Sequence, residues 1–391
     1  MVDNLKKILI IDFSNYEDYP IGGYLTFARY LMSAFGDSLS LIGITTSKGE
    51  PVGKWFNKKI DNINYDFFAL ARYNKARTKH AIPDRLMSYL SLKYYKKEIL
   101  KKNIQNVFIQ RQEIMPAVSG FKFSNICYRF PGLDNPLRNS KYRFGRSFTR
   151  HFDKIFFPSL KNAKVLLATG DDREIVEMSK RSNNLIPAGS VVKFPTRVDT
   201  EIFKPSDKCE ARKQLKIPGN SFIVMTSGRL AWFKGWKFMI DSFICFMRSI
   251  PDTYFYFVGD GEDYQKIKDY IDLKGITGRV ILSGRKTAAE LSLYLNAADL
   301  YIMGSYQEGW STTLTEAIAC GIPSCTTDFS SAKELIIEGK NGYVIDIHNE
   351  ELFAEGMLKA RDIERPAYNE NVKNYSVNKL KNDLLNIWEL V

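Results

Sequence analysis

One local pattern opens both halves of this chain: a short apolar strand, a glycine-bearing loop, then a helix with apolar spacing. The first copy is Lys7-Ile-Leu-Ile-Ile-Asp12, a loop ending in Gly22-Gly23, and a helix over Tyr24–Ala34. The second is Phe222–Ser227, a glycine-containing turn, and a helix to about Ser249. Such a unit begins a doubly wound sheet, because parallel strands must be joined by a crossover, usually a helix. Further strands are predicted at Leu39–Ile44, Val107–Gln110, Ile126–Arg129, Val165–Thr169 and Val191–Phe194, with helices over Asp84–Lys102 and Asp171–Arg181. The second half continues through Tyr254–Val258, Val280–Ser283, Leu300–Met303, Ser324–Thr326 and Tyr343–Ile345. The alternation predicts an α/β class with parallel sheets covered on both faces.

The stretch Phe194-Pro-Thr-Arg-Val-Asp-Thr-Glu-Ile-Phe-Lys-Pro205 breaks the pattern with two prolines and no period, and reads as an inter-domain linker. A chain of 391 residues suits two domains. The expected division is 1–198 and 199–370, with 371–391 a terminal helix. Val377, Leu380, Leu384, Leu385 and Trp388 fall on one stripe of that helix.

Several classes are set aside. The five cysteines are scattered and show no metal-ligand spacing, so free thiols and no metal are expected. No apolar run approaches the roughly 18–20 residues of a membrane span, and Met1–Lys7 runs straight into a strand without a signal-peptide pattern. A cytoplasmic protein is the expectation. Charge is uneven. Residues 1–200 hold 33 Lys and Arg against 18 Asp and Glu, and the remainder 23 against 26. The first half is therefore expected to meet something anionic.

Two segments carry candidate chemistry. In Ser227-Gly-Arg-Leu-Ala-Trp-Phe-Lys-Gly235 a strand ends and Arg229 and Lys234 extend from the turn. Two cations at the carboxyl edge of a parallel sheet suit a diphosphate, Arg gripping two oxygens and Lys acting as a point charge. Glu308-Gly-Trp-Ser-Thr-Thr-Leu-Thr-Glu316 follows the strand Leu300–Met303. Ser311 or Thr312 can cap a helix there, and the free N–H groups of its first turn can bind phosphate. Glu316 could accept the hydroxyls of a ribose, and Glu308 those of a sugar. Each residue alone also reads as an ordinary loop cation or helix-end charge.

Their combination is more specific. Gly228-Arg-Leu with Lys234-Gly, Val258-Gly-Asp-Gly-Glu262, Gly284 after a strand, Ala297-Ala-Asp299, Glu308 and Glu316, Ala319-Cys-Gly-Ile-Pro323 and Gly339-Lys-Asn-Gly-Tyr343 follow in order over about 120 residues. This resembles the group 1 glycosyltransferases, glycosyltransferase family 4. The linker Val198-Asp199…Phe203-Lys-Pro205 is similar too, whereas the first half matches only through Gly22-Gly23 and strand spacing. The resemblance implies a GT-B fold of two Rossmann-like domains facing across a cleft, the final helix crossing back to the first. It implies hexosyl-type transfer from a UDP- or GDP-sugar, with retention and no required cofactor. Arg229 and Lys234 match the pair that stabilises the departing diphosphate, Glu308 the glutamate beside the donor sugar, and Glu316 the ribose-binding glutamate. Gly228 and the backbone of Ser311, Thr312 and Thr313 match donor contacts, Arg285 the position beside the base, and Gly22 and Gly23 the first-domain loop near the leaving phosphate.

One departure stands out. The family often carries a first-domain histidine after the strand resembling Ile126–Arg129. Here the segment is Cys127-Tyr-Arg-Phe-Pro-Gly132. Arg129, Gln112 and Glu113 are the candidates to serve instead. Basic residues interleaved with Met87, Tyr89, Leu90, Leu92, Tyr94 and Tyr95 over Arg72–Lys102, and a second cluster over Arg138–Arg150, suit an anionic membrane surface or a lipid-diphosphate-linked acceptor. The expected role is surface polysaccharide or lipopolysaccharide assembly. A non-catalytic nucleotide-sugar-binding subunit is the alternative. Nucleic acid is not an expected partner: it would account for the basic half but not for the second-half motifs.

Overall fold

The computed structural model describes residues 7–20, 22–75, 82–130, 135–138 and 147–390. Pro131 and Gly132, residues 76–81 of the first basic stretch, and residues 139–146 of the second lie outside them. The chain divides into two compact units, Met1–Pro195 with Asn378–Val391, and Thr196–Val377.

The first unit is built on eight strands: β1 Ile8–Ile11, β2 Leu39–Thr45, β3 Trp55–Ile60, β4 Ile63–Arg72, β5 Asn106–Ile109, β6 Asn125–Phe130, β7 Val165–Ala168 and β8 Val191–Lys193. Their order is β3-β4-β2-β1-β5-β6-β7-β8, all parallel except β3 against β4. The two faces of β1 show why the run is apolar throughout. Ile8 and Ile10 enter one core, Leu9 and Ile11 the other, since successive side chains point to opposite faces. The β3–β4 hairpin was not anticipated. It turns on Asp61-Asn62, with φ of 48° and 66°, the left-handed pair that a two-residue hairpin loop requires.

The second unit holds β9 Phe222–Ser227, β10 Thr253–Val258, β11 Val280–Gly284, β12 Leu300–Met303, β13 Ser324–Thr327 and β14 Gly342–Ile345. Its order, β11-β10-β9-β12-β13-β14, is wholly parallel. The winding reverses between β9 and β12, and in the first unit between β1 and β5. Ligands of doubly wound sheets bind outside the carboxyl ends of the strands at such a point.

Three boundaries differ from expectation. The Asp84–Lys102 helix is two pieces, Asp84–Tyr94 and Lys96–Leu100. The first division falls at Pro195, because Val198 pairs with Ser376 inside the second unit. The terminal segment begins as a 3-10 turn, Glu370–Tyr375, and becomes a helix only at Val377–Trp388. There Leu380, Leu384, Leu385 and Trp388 join the first unit's core, and the Trp388 indole N–H donates to Asn125 Oδ1 at 2.8 Å.

Candidate active site

In the second unit, the loops after β9 and β12 meet at the switch point because glycine lets them. Gly235 has φ of 68°, and a Cβ there would fall 1.8 Å from the Gly304 carbonyl oxygen. The Tyr306 N–H donates to the Phe233 carbonyl at 2.9 Å, which ties the same two loops again. They bring Lys234 and Glu308 into an ion pair, and Ser305 Oγ donates to the same Glu308 oxygen at 3.0 Å. Gly228, Arg229, Lys234, Met303 and Ser305 line one pocket. Arg229 is largely exposed and pairs with Glu262 at 2.8 Å, so both cations have a carboxylate partner in this structure.

The helix after β12 runs over Thr312–Ala319, and Ser311 is its cap: the Leu314 N–H donates to Ser311 Oγ at 3.2 Å. The Ser311 N–H is itself committed, donating to Ser331 Oγ at 2.9 Å. The Thr312 and Thr313 N–H groups have no partner among the described residues, so the open end of this helix consists of those two. A Cβ on Gly228 would stand 3.6 Å from Thr313 Cγ2, which sets the β9 loop against this first turn.

Glu316, one turn on, is buried. Burial pushes its carboxyl up to about 8, and no described side chain donates a hydrogen bond to it. Neither oxygen is both sealed from solvent and unpaired, so the carboxyl stays open to a group from outside the chain. Beside it Tyr301 is buried within 3.2 Å of Ser227 Oγ; burial raises its hydroxyl to about 12. Arg285 follows β11 at the sheet's far edge, exposed and away from this group.

The first unit has its own cluster at its switch point. Asp12, after β1, accepts from Gln110 Nε2 at 2.6 Å through one oxygen and from Arg111 Nε through the other. The Arg111 guanidinium lies 4.4 Å over the Tyr24 ring, and Glu113 lies between Arg111 at 3.9 Å and Arg85 at 4.0 Å. Burial alone would lower the Arg111 pKa, but Asp12 and Glu113 outweigh it and hold the guanidinium more basic than usual. Gln112 and Arg129 are buried as well, Arg129 3.6 Å over the Phe27 ring. Gly22, with φ of 150°, and Gly23 begin the helix Gly23–Phe35, and a Cβ on either would meet nothing within 4 Å. Sequence reasoning missed Asp12, Arg111, Ser305, Tyr301 and Ser331. Only Asp12 and Arg111 carried a signal, a charge at the end of a predicted strand or directly after one.

The described cysteines are free, with Cys209 exposed and Cys127, Cys320 and Cys325 buried.

Two likenesses place this architecture. Sucrose-phosphate synthase (tll1590) from Thermosynechococcus elongatus superposes with a TM-score of 0.73 over 98% of each chain at 17% identity. Anabaena Alr3699/HepE in complex with UDP gives 0.74 over 98% of this chain and all of that one, at 16% identity. At such identities they establish the fold, which is GT-B. Residues 207–378 match the family Glycosyl transferases group 1. Similar curated proteins include the D-inositol 3-phosphate glycosyltransferase of Arthrobacter sp. (strain FB24), 27% identical over 39% of this chain. Another is the lipopolysaccharide core biosynthesis glycosyltransferase LpsE of Rhizobium meliloti (strain 1021), 27% identical over 37%. The chain spans only 38% and 41% of the length of these relatives.

Proposed function

We propose that this protein transfers a sugar from a nucleotide diphosphate sugar to a glycan or lipid-linked acceptor. The observation that carries the reading is the second unit's switch point. There a buried carboxylate without a partner, two open helix N–H groups, and two cations from one loop gather at the carboxyl edge of a Rossmann-ordered sheet. Glu316 accepts the ribose hydroxyls. Arg229, Lys234 and the Thr312–Thr313 N–H groups face the diphosphate, exchanging Glu262 and Glu308 for phosphate oxygens. Released from Lys234, Glu308 holds the donor sugar.

As the nucleotide leaves, negative charge grows on its terminal phosphate, and these fixed donors stabilise it without a metal. The departing phosphate oxygen takes the proton of the acceptor hydroxyl, and attack on the same face retains configuration. A trapped covalent glycosyl-enzyme would overturn that course. A uracil base is supported by HepE, solved with UDP and with UDP-glucose; a guanine base by the GDP-mannose-dependent mannosyltransferase of Mycolicibacterium smegmatis, 27% identical over 45% of this chain.

The acceptor reading draws on the first unit. Ile82, Leu86, Leu90 and Tyr94 recur every four residues and are all exposed, with Lys93 and Lys97 beside them. Phe148 and Ile155 are exposed on the helix Thr149–Ser159. An apolar stripe with basic flanks suits an anionic bilayer surface, here the cytoplasmic one. LpsE and the Escherichia coli UDP-Gal:alpha-D-GlcNAc-diphosphoundecaprenol alpha-1,3-galactosyltransferase, 25% identical over 51% of this chain, point to surface glycan assembly.

A thermal-shift panel of UDP, GDP, ADP and CMP with their sugars tests the core of the proposal. One nucleotide family raises the melting point of wild type and not of Glu316→Ala. No shift with any of them would sink it. Leu86→Glu with Leu90→Glu should reduce sedimentation with phosphatidylglycerol vesicles, and undiminished binding would remove the membrane part.

A further inference from the structure

We propose that Trp232 and Tyr306 form a stacking platform for a pyranose ring of the acceptor glycan. The inference rests on the glycosyl-transfer reading above and adds a subsite to it. Trp232 is 68% exposed and Tyr306 51%, whereas Trp310 in the same unit is buried. Large aromatic surface left in water beside a binding site is informative, because burying it is so favourable.

The rings are nearly parallel, at 29°, with centroids 6.5 Å apart. Tyr306 is backed by the His348 ring, stacked at 4.4 Å, and Trp232 stands edge-on to Phe233. Trp232 lies two residues before Lys234, and Tyr306 two before Glu308. The same two glycine-locked loops therefore present the aromatic pair and the ion pair, in fixed register.

The chemistry of the surroundings selects the occupant. A pyranose has an apolar C–H face that can lie on the rings while the hydroxyls around its rim stay in water. An anionic lipid headgroup finds little attraction here. The cations of these loops, Arg229 and Lys234, are balanced by Glu262 and Glu308 and in the reading above are taken by the nucleotide diphosphate, so they leave no surplus positive charge for a second anion.

Saturation-transfer NMR tests the platform, using the methyl α- and β-glycosides of glucose, galactose, mannose, rhamnose and N-acetylglucosamine. It is run with the nucleotide that the thermal-shift panel selects already bound. At least one glycoside should show transfer from aromatic protons to one face of its ring. Trp232→Ala and Tyr306→Ala should weaken its binding roughly tenfold, with Trp232→Phe restoring part of it. Nucleotide affinity should stay unchanged in all three variants. Glycoside binding that ignores both alanine variants, or no glycoside binding with nucleotide bound, overturns the platform and leaves glycosyl transfer standing. Loss of nucleotide affinity in Trp232→Ala assigns the ring to the base, and loss of vesicle binding assigns it to a membrane; either also overturns it. Failure of every nucleotide to bind removes the reading beneath it.

Discussion

The two sheets gather polar groups at the same topological point, yet they leave different things over. Between β1 and β5, Asp12 is satisfied on both oxygens by Gln110 and Arg111, and Glu113 sits between two guanidinium groups. Between β9 and β12, Glu316 is buried with no described partner, and the first turn of its helix keeps two N–H groups open. Winding order sets where polar groups collect. Which of them are already committed to one another decides where a ligand gains most, since an unpaired buried group costs free energy until something pairs it. By this measure the charged groups of the first unit's edge are braced, although Gln110 Oε1 stays buried there without a hydrogen bond, and the second unit's edge offers a carboxyl that no described side chain has claimed.

The largest expected effect comes from breaking the braced edge. Asp12→Ala leaves Arg111 buried with only Glu113 at 3.9 Å, and should destabilise the first unit by about 3–5 kcal/mol. Hydrogen exchange should quicken in β1 and β5 and stay slow in β9 and β12, with nucleotide affinity unaltered. Equal quickening in both sheets would count against independent roles. At the receptive edge, Arg229→Ala and Lys234→Ala should each lower turnover of the donor roughly 100–1000-fold, while folding is retained. Turnover within a few-fold of wild type would remove that residue from the leaving-group role.

A subtler difference is visible in pH. Glu316 holds its proton more tightly folded, where its value is about 8, than unfolded, where it is near 4.5. The folded state therefore carries more bound protons across that window, so stability falls as pH rises from about 4.5 to about 8 and levels off above. Glu316→Gln should abolish this slope and gain about 2–3 kcal/mol over wild type at the alkaline end. Nucleotide binding should tighten over the same window in wild type only. Parallel slopes in the two proteins would place the carboxylate in water. Smallest is the helix cap. Ser311→Ala should cost about 1 kcal/mol and weaken nucleotide binding slightly, by loosening the turn that holds the Thr312 and Thr313 N–H groups.

Much of the second unit was legible in the chain. Strand, glycine turn and helix recur at spacings that only a doubly wound sheet satisfies, and Gly228, Arg229, Lys234, Glu308 and Glu316 follow predicted strands. The first unit was legible only in outline. Its β3–β4 hairpin depends on Asp61 and Asn62 entering left-handed conformations, which neither residue announces. Gln112, Glu113 and Arg129 stood out as polar residues near strand ends, and the fold buries all three.

The sequence by itself determined the α/β class, the two strand series and the loops that carry charge, and put the division at 198 where the structure has it at Pro195. These follow from local periodicity and from glycine and proline, which act within a few residues. Tertiary structure alone decided which charges are taken and which are left. Lys234 finds Glu308 across 74 positions and Asp12 finds Arg111 across 99, while Ser331 claims the Ser311 N–H. Burial and partnership arise between segments distant in the chain, so no local pattern encodes that Glu316 is buried without a described partner.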